Sequence, residues 1–135
     1  MSVGLLIISH GGVGEVLFKT AQHILESIPL PTRVLEVPNA CDPDAMVSLA
    51  SRCIDELNQG DGVLILTDMY GSTPSNISCS QGRDDVVVIA GINLPMLIRV
   101  MNYPHASLEE LADKAMSGGR DGIMVCHSPL TRPVN

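Results

Sequence analysis

The residues of this chain whose types and spacing can do chemistry are one histidine, one aspartate and a few small residues around them. His10 ends the apolar run Leu5-Leu6-Ile7-Ile8-Ser9 and is followed at once by Gly11 and Gly12. Glycines let a backbone come close to an anion, and a helix opening after them turns unpaired N–H groups toward the same place. An imidazole beside such a cradle is what a phosphoryl acceptor needs. Asp68 follows a second apolar run, Val63 to Thr67, and precedes Met69-Tyr70-Gly71-Ser72-Thr73-Pro74. A carboxylate bonded to one ring nitrogen keeps the proton there and leaves the other nitrogen free as a nucleophile. The Thr73 hydroxyl, with Ser72 and the N–H groups beside it, is placed to bind the oxygens of a transferred group. Each residue also has a plainer use. A histidine after a strand often only packs, Asp68 can cap its own turn, Gly11 and Gly12 can serve a tight connection, and Thr73 can cap a helix. His23, His105 and His127 have no comparable neighbours in the sequence and read as surface or structural.

The elements that must position these residues follow from apolar periodicity. Val3 to Ile8 and Val86 to Ala90 are unbroken apolar runs, as expected of strands covered on both faces; Arg33 to Val37 and Val63 to Thr67 are further strands. Val13, Val16, Leu17, Thr20, Ala21, Ile24, Leu25 and Ile28 recur at helical steps, giving a surface helix that ends before Pro29. Asp42-Pro43-Asp44 opens a second helix running to about Gln59, with Gly60 as its left-handed exit. Thr73-Pro74 opens a third, stopping near Gly82, with Thr73 as its cap. Pro95 to Met101 is a fourth, and the capping box Ser107-Leu108-Glu109-Glu110 opens a fifth that Gly118-Gly119 ends. Ile123 to Cys126 is a possible last strand. The result is one α/β domain over residues 1–135. Its sheet is doubly wound and mainly parallel, with helices on both faces, a strand order beginning 2-1-3-4 and a possible C-terminal edge strand. In that order the first and third strands are neighbours, and the segments after them share the crevice where such sheets bind ligands. His10 and Asp68 are thereby brought to one place.

Composition excludes several classes. The chain has 135 residues, 45% of them hydrophobic and only 17% charged, which suits a packed core and not a disordered segment. A net charge of -7 with 2% aromatics leaves neither an electrostatic footprint nor a stacking platform for nucleic acid. The apolar runs are far shorter than the roughly 18 residues that suggest a membrane span. Met1-Ser2-Val3-Gly4 carries no basic residue before the first apolar run, so no secretory signal is expected and the expected location is the cytoplasm. Cys41, Cys53, Cys79 and Cys126 form no C-x-x-C pair and read as reduced, mostly buried thiols; no metal or cofactor is expected.

Three strings carry a family resemblance. Leu5 to Gly11, Thr67 to Asn76 and Gly91 to Leu97 together resemble the enzyme IIA domain of the mannose (mannose-fructose-sorbose) class of the bacterial phosphoenolpyruvate-dependent sugar phosphotransferase system. The second string is the specific one, matching the pattern Asp, any residue, aromatic, Gly, small, Ser or Thr, Pro, any residue, Asn. The resemblance implies that His10 is the phosphorylated histidine, Asp68 its hydrogen-bond partner and Thr73 a holder of phosphoryl oxygens. It also implies that Asn93, Leu94 and Pro95 belong to a docking surface. The implied reaction is transfer of a phosphoryl group from the small phosphocarrier protein HPr, or a paralogue, to His10 and on to an enzyme IIB, in sugar uptake or regulation. A homodimer, with the C-terminal segment exchanged between subunits, is implied as well. Ser72 departs from the glycine that many members have there.

Two other readings compete. The phosphohistidine subunit of a phosphotransferase-dependent dihydroxyacetone kinase looks like this fold and also places Ser-His after its first strand, but Pro74 and Asn76 belong to the sugar IIA pattern. The other is a Rossmann-like nucleotide-binding or silent regulatory module without phosphoryl transfer: Gly11-Gly12-Val13-Gly14 misses the G-x-G-x-x-G spacing and Glu36 is followed by Val37-Pro38, and the presence of both His10 and Asp68 argues against a silent domain.

Overall fold

In a computed structural model that describes residues 2–129, four strands form one parallel sheet: β1 (Gly4–His10), β2 (Thr32–Val37), β3 (Val63–Thr67) and β4 (Val86–Ala90), in the order β2-β1-β3-β4. The helices are α1 (Val13–Leu25), α2 (Pro43–Leu57), α3 (Thr73–Cys79), α4 (Leu94–Met101) and α5 (Leu108–Asp121). The central strands read as unbroken apolar runs because both of their faces are covered. Leu5 and Ile7 of β1 pack with Leu64 and Leu66 of β3 under α1, α4 and α5. Leu6 and Ile8 pack with Val63 and Ile65 under α2 and α3. Each fully buried Leu or Ile contributes roughly 1.5–3 kcal/mol relative to exposure.

Most boundaries follow from capping chemistry. Asp42 accepts the Asp44 N–H ahead of Pro43, and the Ser107 hydroxyl accepts the Glu110 N–H and donates to its carboxylate. α2 stops at Leu57, short of Gln59, where the Asn58 side-chain oxygen Oδ1 accepts the N–H groups of Gly60 and Gly62. α3 ends at Cys79 and not near Gly82, and its cap position is Ser72, with Thr73 already in the first turn.

Three expectations are corrected. Gly118 and Gly119 do not end α5 but lie inside it, buried against α4: a Cβ on Gly118 would stand 2.5 Å from Arg99 Cβ, and one on Gly119 2.8 Å from Met96 Cε. Their small size lets two helices touch, and the Gly119 carbonyl accepts the Asn93 amide. Ile123 to Cys126 form no strand, and Ile123, Met124 and Val125 stand exposed. Of the cysteines, Cys53 alone is buried; Cys41 is half-buried, and Cys79 and Cys126 are exposed. Among the described residues no helix is long and apolar enough to cross a membrane.

Candidate functional site

His10 is the last residue of β1, and Asp68 the first after β3. The two strands are parallel neighbours with Ile8 beside Thr67, so both residues emerge from the same end of the sheet. His10 Nδ1 lies 2.7 Å from Asp68 Oδ2, and the same oxygen accepts the His10 backbone N–H at 3.0 Å. The other oxygen, Oδ1, accepts the Met69 N–H at 2.9 Å. The Asp68 side chain is 13% exposed and that of His10 42%. A shielded carboxylate therefore holds an accessible ring.

Electrostatics favour the charged carboxylate. Burial pushes the Asp68 carboxyl up, but the hydrogen bonds from the His10 ring, the His10 backbone and Met69 outweigh it, and the group settles below its ordinary value. An ionised acceptor facing Nδ1 selects the tautomer protonated there. Nε2 then carries the free lone pair.

Beside the ring lies a cleft of about 200 Å³, lined by His10, Pro38, Asn39, Cys41, Thr73 and Pro74 among others. One wall is the loop between β2 and α2; the other is the start of α3. A larger groove of about 370 Å³ between α1, α4 and α5 is lined mainly by apolar side chains such as Leu94 and Ile98, and holds no histidine.

Of the residues singled out from the sequence, His10, Asp68 and Thr73 come together. Gly11, Gly12 and Ser72 adjoin the site without lining the cleft. Gly12 occupies the cap position of α1 at φ 87°, a left-handed conformation that glycine adopts without strain. The Gly14 N–H is taken by the buried Ser9 hydroxyl at 2.8 Å. The opening of α1 is thus tied back onto the sheet. The Ser72 hydroxyl donates to the Met69 carbonyl at 2.5 Å, which closes the turn after Asp68. His23, His105 and His127 are exposed.

Asn39, Cys41 and Ser9 were not singled out from the sequence. A signal existed for the first two. In a 2-1-3-4 order the second strand also borders the first, so its exit loop reaches the same crevice. Ser9 carries the general signal of a hydroxyl in a buried run one residue before a site.

An α/β domain that presents a carboxylate-held histidine at the end of a parallel sheet is the class defined by these features. The sequence model described as the PTS system fructose IIA component (EIIA-man) matches residues 4–116, and the chain belongs to this family, a component of the phosphotransferase system. It is 28% identical over 127 residues to the PTS system mannose-specific EIIAB component of Escherichia coli (strain K12), covering 91% of this chain and 39% of that protein. The chain therefore spans well under half the length of that relative. It is 27% identical over 84 residues to the PTS system fructose-specific EIIA component of Bacillus subtilis (strain 168), covering 60% of this chain and 58% of that one. Among solved structures, the mannose/sorbose specific IIA subunit from Enterococcus faecalis superposes with a TM-score of 0.83 at 22% identity, covering 98% of this chain and all of the other. That likeness carries the fold.

Proposed function

We propose that this domain is a phosphoryl carrier that accepts a phosphoryl group from phospho-HPr on His10 Nε2 and passes it to an enzyme IIB. The observation that carries the reading is the 2.7 Å contact between His10 Nδ1 and Asp68 Oδ2. With the Nδ1 proton held by Asp68, the Nε2 lone pair attacks the phosphorus carried by the donor's imidazole. The donor N–P bond breaks as the His10 Nε2–P bond forms, and the electron pair returns to the donor ring. Onward transfer to the acceptor runs the same exchange in reverse. Asp68 stabilises the ring cation that develops during attack, and the Thr73 hydroxyl donates to a phosphoryl oxygen. Gly11, Gly12 and Ser72 shape the two turns that hold the nucleophile and Thr73 in place. Position and electrostatics supply the catalysis, with no resident metal or cofactor.

The net charge of -7 supports a partner that presents basic side chains, drawn in by modest, salt-sensitive steering. The outer edge of β4, unpaired among the described residues, and the exposed Ile123, Met124 and Val125 support a homodimer in which the segment after α5 of one subunit covers the other. Light scattering at twice the monomer mass is the expected result for the dimer; a monomer mass contradicts it. The reaction is tested by incubation with labelled phosphoenolpyruvate, enzyme I and HPr, followed by addition of candidate acceptors. Label that enters this chain and then moves to a mannose-class IIB supports the proposal. Label that moves only to a dihydroxyacetone kinase subunit, or fails to enter, overturns it.

A further inference from the structure

Among the described residues, no lysine or arginine lines the cleft beside His10, although the group it is proposed to receive carries about -1.5 to -2 charges. Its polar lining is neutral: besides the His10 ring it consists of the Thr73 hydroxyl, the Cys41 thiol and the Asn39 carboxamide. Neither Thr73 nor Asn39 spends its side chain elsewhere, since among the described residues neither has a hydrogen-bond partner there. Ser72, by contrast, has its hydroxyl committed to Met69.

The position of Asn39 is set by register. Val37 pairs with His10 across the β1/β2 ladder, and Asn39 stands two residues further along, after Pro38. At about 3.3 Å per extended residue this carries it roughly 6–7 Å past the level of His10 Cα, on the adjoining strand. His10 and Asn39 line the same cleft, so a group on the ring and the Asn39 side chain share that space. Pro38 contributes no N–H, so it offers a phosphoryl group no backbone donor there. Thr73 faces the same space from the opposite wall.

We propose that Asn39 is a phosphoryl-binding residue, its carboxamide N–H donating to an oxygen of the phosphoryl group on His10 Nε2 opposite the Thr73 hydroxyl. Two neutral donors from opposite walls hold the group without the deep trapping that a buried lysine or arginine would give. That suits a site which must release what it accepts. The choice of Asn matters here, because an isosteric carboxylate keeps the shape and puts a negative charge against the phosphoryl oxygens.

The inference rests on the phosphoryl-carrier reading, and three forms of the full chain separate the two. Wild type, Asn39→Ala and Asn39→Asp are phosphorylated by phosphoenolpyruvate, enzyme I and HPr, and both the initial rate and the hydrolysis half-life of the phosphoprotein are recorded. Asn39 is exposed in a loop, and matching melting curves show that the fold is retained. The expected result is a rate lowered severalfold in Asn39→Ala and about tenfold or more in Asn39→Asp, with a shortened phosphoprotein half-life in both. Wild-type rates and half-lives in both variants overturn the role of Asn39 while leaving the carrier reading in place. A wild-type protein that takes no label overturns both.

Discussion

A single oxygen of Asp68 holds His10 at two points, the ring Nδ1 at 2.7 Å and the backbone N–H at 3.0 Å. The carboxylate therefore fixes where the imidazole stands, which way it turns and which nitrogen keeps its proton. The Met69 N–H on the second oxygen closes off rotation of the carboxylate itself.

Replacing this group removes positioning and charge together. Asp68→Ala is expected to slow phosphoryl transfer from phospho-HPr by about a hundredfold, in the range found for positioned acid–base partners. Its circular dichroism spectrum stays that of wild type, because the side chain packs no core. An unchanged transfer rate removes Asp68 from the site.

The same hydrogen bonds predict an acid-sensitive contribution to stability. The folded Asp68 carboxyl titrates below its unfolded value, so its contribution is full above the unfolded pKa of about 3.9 and is lost as pH falls through the lower folded value. Urea midpoints of wild type and Asp68→Asn should differ above about pH 5 and converge below about pH 4. A gap as wide at pH 3 as at pH 7 contradicts this assignment.

The turn into α1 gives a ranked set of substitutions. Gly12→Ala forces an alanine to φ 87°, at a cost of about 1–2 kcal/mol, although its Cβ would meet open space. Gly14→Ala drives a Cβ to 2.6 Å from Ile7 Cγ2 and 2.8 Å from Ser9 Oγ, at a cost of about 1–3 kcal/mol. Gly11→Ala meets nothing within 4 Å and has no left-handed φ, so it stays within about 0.5 kcal/mol of wild type. Denaturant titrations of the three variants check the order, and a Gly11→Ala as damaging as the other two breaks it.

Much of this arrangement is legible in the sequence because parallel-sheet topology does the placing. Val3 to Ile8 and Val63 to Thr67 read as strands, and the order 2-1-3-4 then makes them neighbours and brings His10 and Asp68 together without further information. The family strings add the pattern from Asp68 to Asn76 and the roles that the resemblance implies for its members. What was misread has local physical causes. Gly118-Gly119 looks like a helix end, since glycine pairs commonly are, but packing of α4 against α5 overrides propensity. Thr73 looks like a cap because Pro follows it, yet Pro is equally at home one position further into the first turn, and Ser72 takes the cap position. Ile123 to Cys126 has strand composition but finds no partner strand within the described chain. Asn39 has no motif of its own, and only its place after β2, whose exit loop borders the crevice, marks it in the sequence.

The most direct test of the central claim is to phosphorylate protein carrying ¹⁵N-labelled histidine with phosphoenolpyruvate, enzyme I and HPr, and to read by nuclear magnetic resonance which ring nitrogen bonds to phosphorus. The account predicts one phosphoramidate, labile in acid and stable in base, on Nε2 of His10, and none in His10→Ala. Phosphorus on Nδ1 of His10, on His23, His105 or His127, or on no histidine contradicts it.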